Sequence, residues 1–171
     1  RQVEWIPLPK IIDQLDLLKE RFHIGFIKIG LIESLTVLDE LLNQLSVSIP
    51  DASIVWDPVI KASAGHRFHS EIDLQLIKHI CKKIYLLTPN IPEAIQLSTT
   101  DDAFENAKEL SALCNIYLKG GHAINQKGKD FLFLKNGKTF SFNPKQKNVT
   151  AKHGSGCVLS AAVTSYLAKE M

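Results

Sequence analysis

The sequence predicts an α/β protein built on a mostly parallel sheet with helices on both faces. Three observations carry this. Short apolar strand-like runs alternate with helical stripes along the whole chain. The runs are apolar almost throughout, the pattern of strands covered on both sides. Polar and glycine residues gather where the runs end, and in such sheets ligands bind there.

The elements follow in order. Ile11, Ile12, Leu15, Leu18 and Phe22 form a helical stripe over Leu8 to Phe22. Ile24 to Gly30 is a strand closed by a glycine. Leu35, Leu38, Leu41, Leu42 and Leu45 share one side of a helix, with Ser34 as its N-cap. Ala52 to Trp56 is a strand ending at Asp57-Pro58, and Ser70 to Lys82 is a helix. Ile84 to Leu87 is a strand broken at Thr88-Pro89-Asn90, and Asp101 to Leu113 is a helix capped by an aspartate. Asn115 to Leu118 is a strand that runs into Lys119-Gly120-Gly121-His122. Asp130 to Leu134 and Thr139 to Phe142 form a hairpin turning at Asn136-Gly137. A last helix spans Ser155 to Lys169, and the polar Asn143-to-Lys152 loop before it is the candidate mobile segment. Phe26 and Trp56 are expected in the core, and His23, His66, His69 and His79 at the surface or at helix ends.

Composition narrows the class. The chain has 171 residues, 45% hydrophobic and 22% charged, which fits one domain over residues 1–171 with a real core. A net charge of +2 with no basic stripe argues against a nucleic-acid partner. No apolar run approaches the ~18 residues of a membrane helix, so no membrane partner is expected. Cys81, Cys114 and Cys157 are an odd set without paired spacing, and a reducing, cytoplasmic location is expected.

Gly154-Ser155-Gly156-Cys157 opens the last helix. The first amides of a helix lack internal partners and lie at its positive end, which suits a phosphate. A thiol there is expected to have its pKa lowered. The same glycines could be only a cap or a packing choice, and the cysteine an inert small hydrophobe. No Walker loop occurs, and Leu159 stands where a dinucleotide fingerprint needs its third glycine. His153 and Cys157 do not share a helix face in a way that suits zinc.

At the other strand ends, Asp57 and Glu93 could hold magnesium directly or through water, while Lys119 with Gly120 and Gly121 could hold phosphate. Together these would suit a magnesium nucleotide. Each also has a plainer account. Asn90-Ile91-Pro92-Glu93 fits a capping box, Asp57-Pro58 a strand-ending turn, and Gly120-Gly121 a tight turn. Lys28, at a strand end, needs a partner.

Five segments in order resemble one family: Ile27-Lys28-Ile29-Gly30, Trp56-Asp57-Pro58-Val59, Leu87 to Ala94, Leu118 to His122, and His153 to Ala162. These are the hydroxymethylpyrimidine and phosphomethylpyrimidine kinases of thiamine biosynthesis, in the ribokinase-like superfamily. Related sugar kinases usually carry aspartate in place of Cys157, and the pyrimidine kinases carry cysteine after His-Gly-Thr-Gly, with Ser155 here for the threonine. The resemblance implies a ribokinase-like fold and ATP-dependent phosphorylation of 4-amino-5-hydroxymethyl-2-methylpyrimidine and its monophosphate, with ATP and Mg2+. It implies an anion hole at Gly154, Ser155 and Gly156, and Cys157 as the base beside the substrate hydroxyl. It implies nucleotide phosphates at Lys119, Gly120, Gly121 and Asn90, magnesium organised by Asn90 and Glu93, and Asp57 near the metal. His122 carries over only by position. A homodimer is the candidate assembly. Nothing matches the family's N-terminal strands or its pyrimidine-binding segment, so these are expected upstream of Arg1. Most substrate contacts would lie there, and the chain should expose an apolar strand edge and helix faces. Two alternatives stand beside this reading: a pyridoxal kinase of the same superfamily, and a non-catalytic nucleotide-binding fragment.

Overall fold

The computed structural model describes residues 3–60, 72–122, 128–145 and 154–170, His122 by its backbone alone. The helix expected from Ser70 begins instead at Leu74, where the Asp73 side chain accepts from the Gln75 and Leu76 amides. The histidines His66 and His69, most of the Asn143-to-Lys152 loop, and His153 lie outside the described residues.

The elements run α1 (Leu8–Lys19), β1 (Phe26–Ile29), α2 (Leu35–Ser48), β2 (Ser53–Trp56), α3 (Leu74–Cys81), β3 (Leu86–Leu87), α4 (Ile91–Gln96), α5 (Ala103–Leu110), β4 (Asn115–Leu118), a 3-10 turn (Gly120–His122), β5 (Asp130–Phe133), β6 (Thr139–Phe142) and α6 (Ser155–Lys169). The six strands pair in sequence order. β1 to β4 are parallel, while β5 and β6 add as an antiparallel hairpin. Gly137 takes the left-handed conformation its turn requires, with φ +86°.

Side-chain alternation sorts the sheet into two faces. Ile27, Ile29, Ile54, Trp56, Leu87, Ile116 and Leu118 meet the leucines of α2, Ile77 and Ile80 of α3, and Ala107 and Leu110 of α5. Right-handed crossovers between sequential neighbours return these helices to one side, which is why this face holds the core. Val55 and Leu86 are buried yet stand apart from that core. They alternate onto the other face, where α6 packs along β1. Lys28, Asp57 and Lys119 have the parity of this second face. No described helix is long and apolar enough to cross a membrane.

Three expectations change. α4 is a helix of its own, begun by Asn90, where only a cap was legible. Phe26 is half-buried, edge-on to Tyr85 with ring centroids 5.9 Å apart, because it sits on the thinly covered face. α1 stops at Lys19 rather than at Phe22, which is 62% exposed. Trp56 is in the core as expected, and His23 and His79 are exposed.

Candidate active site

Parallel strands bring their C-terminal ends to one edge, and the residues just past β2, β3 and β4 meet there. The Asp57 amide donates to Ile29 O at 2.8 Å, the Thr88 amide to Trp56 O at 2.9 Å, and the Lys119 amide to Pro89 O at 2.8 Å. The ladder therefore continues one residue beyond the strands and fixes Asp57, Thr88 and Lys119 side by side.

Asp57 is the hub and is 1% exposed. Its Oδ1 accepts from Lys119 Nζ at 2.7 Å and from Thr88 Oγ1 at 3.3 Å. Its Oδ2 accepts from Ser160 Oγ at 2.9 Å and lies 3.6 Å from Lys28 Nζ. Burial by itself would raise the Asp57 carboxyl, but the Lys119 ammonium outweighs it, helped by Ser160 and Lys28, and holds it below its usual value.

Glu93 takes part in a reciprocal cap. Its amide donates to Asn90 Oδ1 at 2.9 Å, and its Oε2 accepts from the Asn90 amide at 2.8 Å. Lys119 Nζ is 3.9 Å from the same Oε2. Burial dominates and pushes Glu93 up to about 7, against the pull of Lys119. The cap and the site are thus one structure: the capping box holds Glu93 where Lys119 can reach it.

α6 starts at Gly154, whose φ of +81° is left-handed and favours glycine. Among the described residues no side chain caps this end. A Cβ on Gly156 would stand 3.4 Å from Lys119 Nζ, so the helix start rests on that ammonium. Ser160 anchors it further. Its buried hydroxyl reaches both Asp57 and, at 3.0 Å, the carbonyl of Cys157. A serine one turn into an apolar helix was the available signal for this contact. Ser160 and Thr88 stood inside the motifs without an assigned part.

Two expectations need correction. The Cys157 thiol is raised, not lowered: desolvation on its inner side comes first, then the Asp57 carboxylate beside it, against weaker pulls from Lys28 and Lys119. The Gly120 amide is also engaged, donating to Asp130 Oδ1 at 2.7 Å, while Tyr117 donates to Asp130 Oδ2 at 2.9 Å. A Cβ on Gly120 would fall 1.8 Å from the Lys129 carbonyl oxygen, so this glycine is required by packing against the β5 side. Among the described residues nothing lies within 4 Å of where a Cβ on Gly121 would stand.

As a candidate metal centre the site is limited. Both Asp57 oxygens and Glu93 Oε2 already have protein partners. Among the described residues no group of three or more His, Cys, Asp or Glu is placed to hold a metal ion. The carboxylates fit magnesium approached through its own waters better than magnesium bound directly.

The Lys119–Asp57 pair, the buried Glu93 carboxyl and the start of α6 thus stand together at one edge of the sheet. The family model described as phosphomethylpyrimidine kinase matches residues 1–171. A hydroxymethylpyrimidine/phosphomethylpyrimidine kinase of Haemophilus influenzae is 32% identical over 178 residues, covering 96% of this chain and 65% of that protein. The yeast kinase THI21 is 36% identical over 162 residues, covering 84% of this chain and 29% of that protein. The chain thus spans less than two thirds of these relatives. A Clostridium difficile phosphomethylpyrimidine kinase superposes with a TM-score of 0.76 at 28% identity, covering 100% of this chain and 72% of that one. A Bacillus subtilis pyridoxal kinase, solved as an ADP complex, gives 0.77 at 25% identity, covering 99% and 66%. With the match running end to end and the strand-end residues converging, this chain belongs to the phosphomethylpyrimidine kinase family.

Proposed function

We propose that this chain carries the phosphoryl-transfer part of an ATP-dependent kinase acting on 4-amino-5-hydroxymethyl-2-methylpyrimidine and then on its monophosphate. The observation that supports it most is Lys119. This lysine is paired with Asp57 at 2.7 Å and lies under the start of α6 at Gly156. Lys119 would meet the nucleotide phosphates, and the Gly154 to Gly156 amides would take charge that develops on the transferred group. Asn90 would set the edge of the nucleotide site through its cap. Magnesium would neutralise phosphate charge, with Asp57 and Glu93 holding its waters.

Cys157 would stand beside the acceptor hydroxyl. Its proton is held above a thiol's ordinary pKa, so the basic thiolate is a minority form at neutral pH. Turnover should therefore rise with pH above neutrality. Cys157→Ala should abolish that rise and lower turnover by roughly 10²- to 10⁴-fold, the size of a general-base contribution. The test is ADP production by the full-length protein with magnesium ATP and the pyrimidine. Verified folding without turnover would sink the reading. Pyridoxal is the second substrate to run beside it, because the Bacillus subtilis pyridoxal kinase shares this fold to a TM-score of 0.77. Faster turnover of pyridoxal would move the assignment there. Nucleotide binding without turnover of either would leave a binding fragment.

A further inference from the structure

Lys28 is a second ammonium at the same carboxylate, and it is held differently from Lys119. Lys119 Nζ makes a 2.7 Å bond to Oδ1. Lys28 Nζ lies 3.6 Å from Oδ2, an oxygen that already accepts from Ser160 at 2.9 Å. Its side chain is 22% exposed, against 10% for Lys119. A Cβ on Gly30 would stand 3.2 Å from Lys28 Nζ, so the glycine keeps room around the ammonium. Asp57 fixes where this ammonium sits without a direct hydrogen bond.

The sheet order gives it a side. Lys119 and Asn90 end β4 and begin α4, Asp57 follows β2, and Lys28 belongs to β1, beyond Asp57 from Lys119. With nucleotide phosphates at Lys119, Lys28 faces where the acceptor must enter. An acceptor that already carries a phosphate brings a second anion against the γ-phosphate, and like charges at that distance repel strongly in a partly dry site. Lys119, paired with Asp57, is taken up by the nucleotide phosphates. The other cation in reach among the described residues is Lys28.

We propose that Lys28 is a specificity-determining residue that holds the phosphate of the already phosphorylated acceptor, so that the site can phosphorylate the monophosphate as well as the alcohol. This rests on the kinase reading above. In that second reaction an acceptor phosphate oxygen attacks the γ-phosphorus, the bond to the bridging oxygen breaks, and ADP leaves. Lys28 bonds to acceptor phosphate oxygens that do not react.

The experiment compares wild type, Lys28→Met and Lys28→Arg in the full-length protein. It measures kcat and KM for the hydroxymethyl and the phosphomethyl acceptor at saturating magnesium ATP, with ATP affinity and melting temperature alongside. A lost charge-assisted hydrogen bond to phosphate is expected to cost the phosphorylated acceptor roughly 10- to 100-fold more in kcat/KM than the alcohol, mainly through KM. Lys28→Arg should recover most of that difference. Because the readout is a ratio between two acceptors on one sample, partial unfolding of a variant cancels from it. Equal losses on both acceptors, or a larger loss on the alcohol, would overturn the proposal and make Lys28 a counter-ion only. Wild type that turns over the alcohol but not the monophosphate would overturn it while leaving the first half of the kinase reading, phosphorylation of the alcohol, intact. Wild type that turns over neither would overturn both.

Discussion

Glu93 shows how one carboxyl links stability to the site. Its ordinary value of 4.5 is raised to about 7 when folded, so the folded state holds its proton over a range where the unfolded chain has lost it. Stability from this group is complete below pH 4.5 and is lost as pH rises through about 7. The loss is on the order of 3 kcal/mol, at 1.36 kcal/mol per unit. Glu93→Gln keeps an acceptor for the Asn90 amide but no titrating proton. In magnesium-free buffer it should flatten that part of the stability–pH curve and be more stable than wild type above pH 7. Urea melts across the range measure this, and identical slopes in the two proteins would refute it. Asp57 responds in the opposite direction because the balance of neighbours differs: two lysines and a serine hydroxyl face it.

At the scale of elements, two N-caps can be compared. Ser34 accepts from the Val37 amide at 3.1 Å and starts α2 far from the site. Asn90 starts α4 and also places Glu93 against Lys119. Either residue changed to alanine should cost about 1 kcal/mol of stability, the usual worth of such a cap. Only Asn90→Ala should also lower turnover, by more than its loss of folded protein explains. Parallel melts and initial rates separate the two, and equal kinetic effects would mean that Asn90 is a cap alone. α6 is unlike the other long helices. Its buried residues are Ser160 and Thr164, while Val158 is 70% and Tyr166 69% exposed. Its position is fixed by polar contacts to Asp57 rather than by the core.

At the scale of the whole molecule, the core lies on one face of the sheet and the chemistry on the other. Leu38, fully buried on α2, belongs to the first. Leu38→Ala should cost about 2–5 kcal/mol through lost burial and the cavity left behind. The kcat per folded molecule should change little, since Leu38 belongs to the core on the face of the sheet opposite Asp57. Denaturant melts with active-site titration check this, and a proportional fall in kcat would show that the two faces are coupled.

The alternation of strands and helices, the Ser34 cap, the Asn136-Gly137 turn and the strand ends that carry Asp57, Asn90 and Lys119 are all legible in the order of residues. Each is set by local periodicity or by turn and cap chemistry within a few residues. Asn90 was readable both as a cap and as a site residue, and it is one because it is the other. How the charges balance is a property of the folded chain alone. Lys28, Asp57, Lys119 and Ser160 come from β1, the end of β2, the end of β4 and α6. No local pattern reports that these four meet. That meeting keeps Asp57 ionised and leaves Lys28 as the looser of two ammonium groups, while burial first and the Asp57 carboxylate second lift the Cys157 thiol. Charge interactions in a partly buried site depend on distances across the fold, and the spacing of residues along the chain does not contain them.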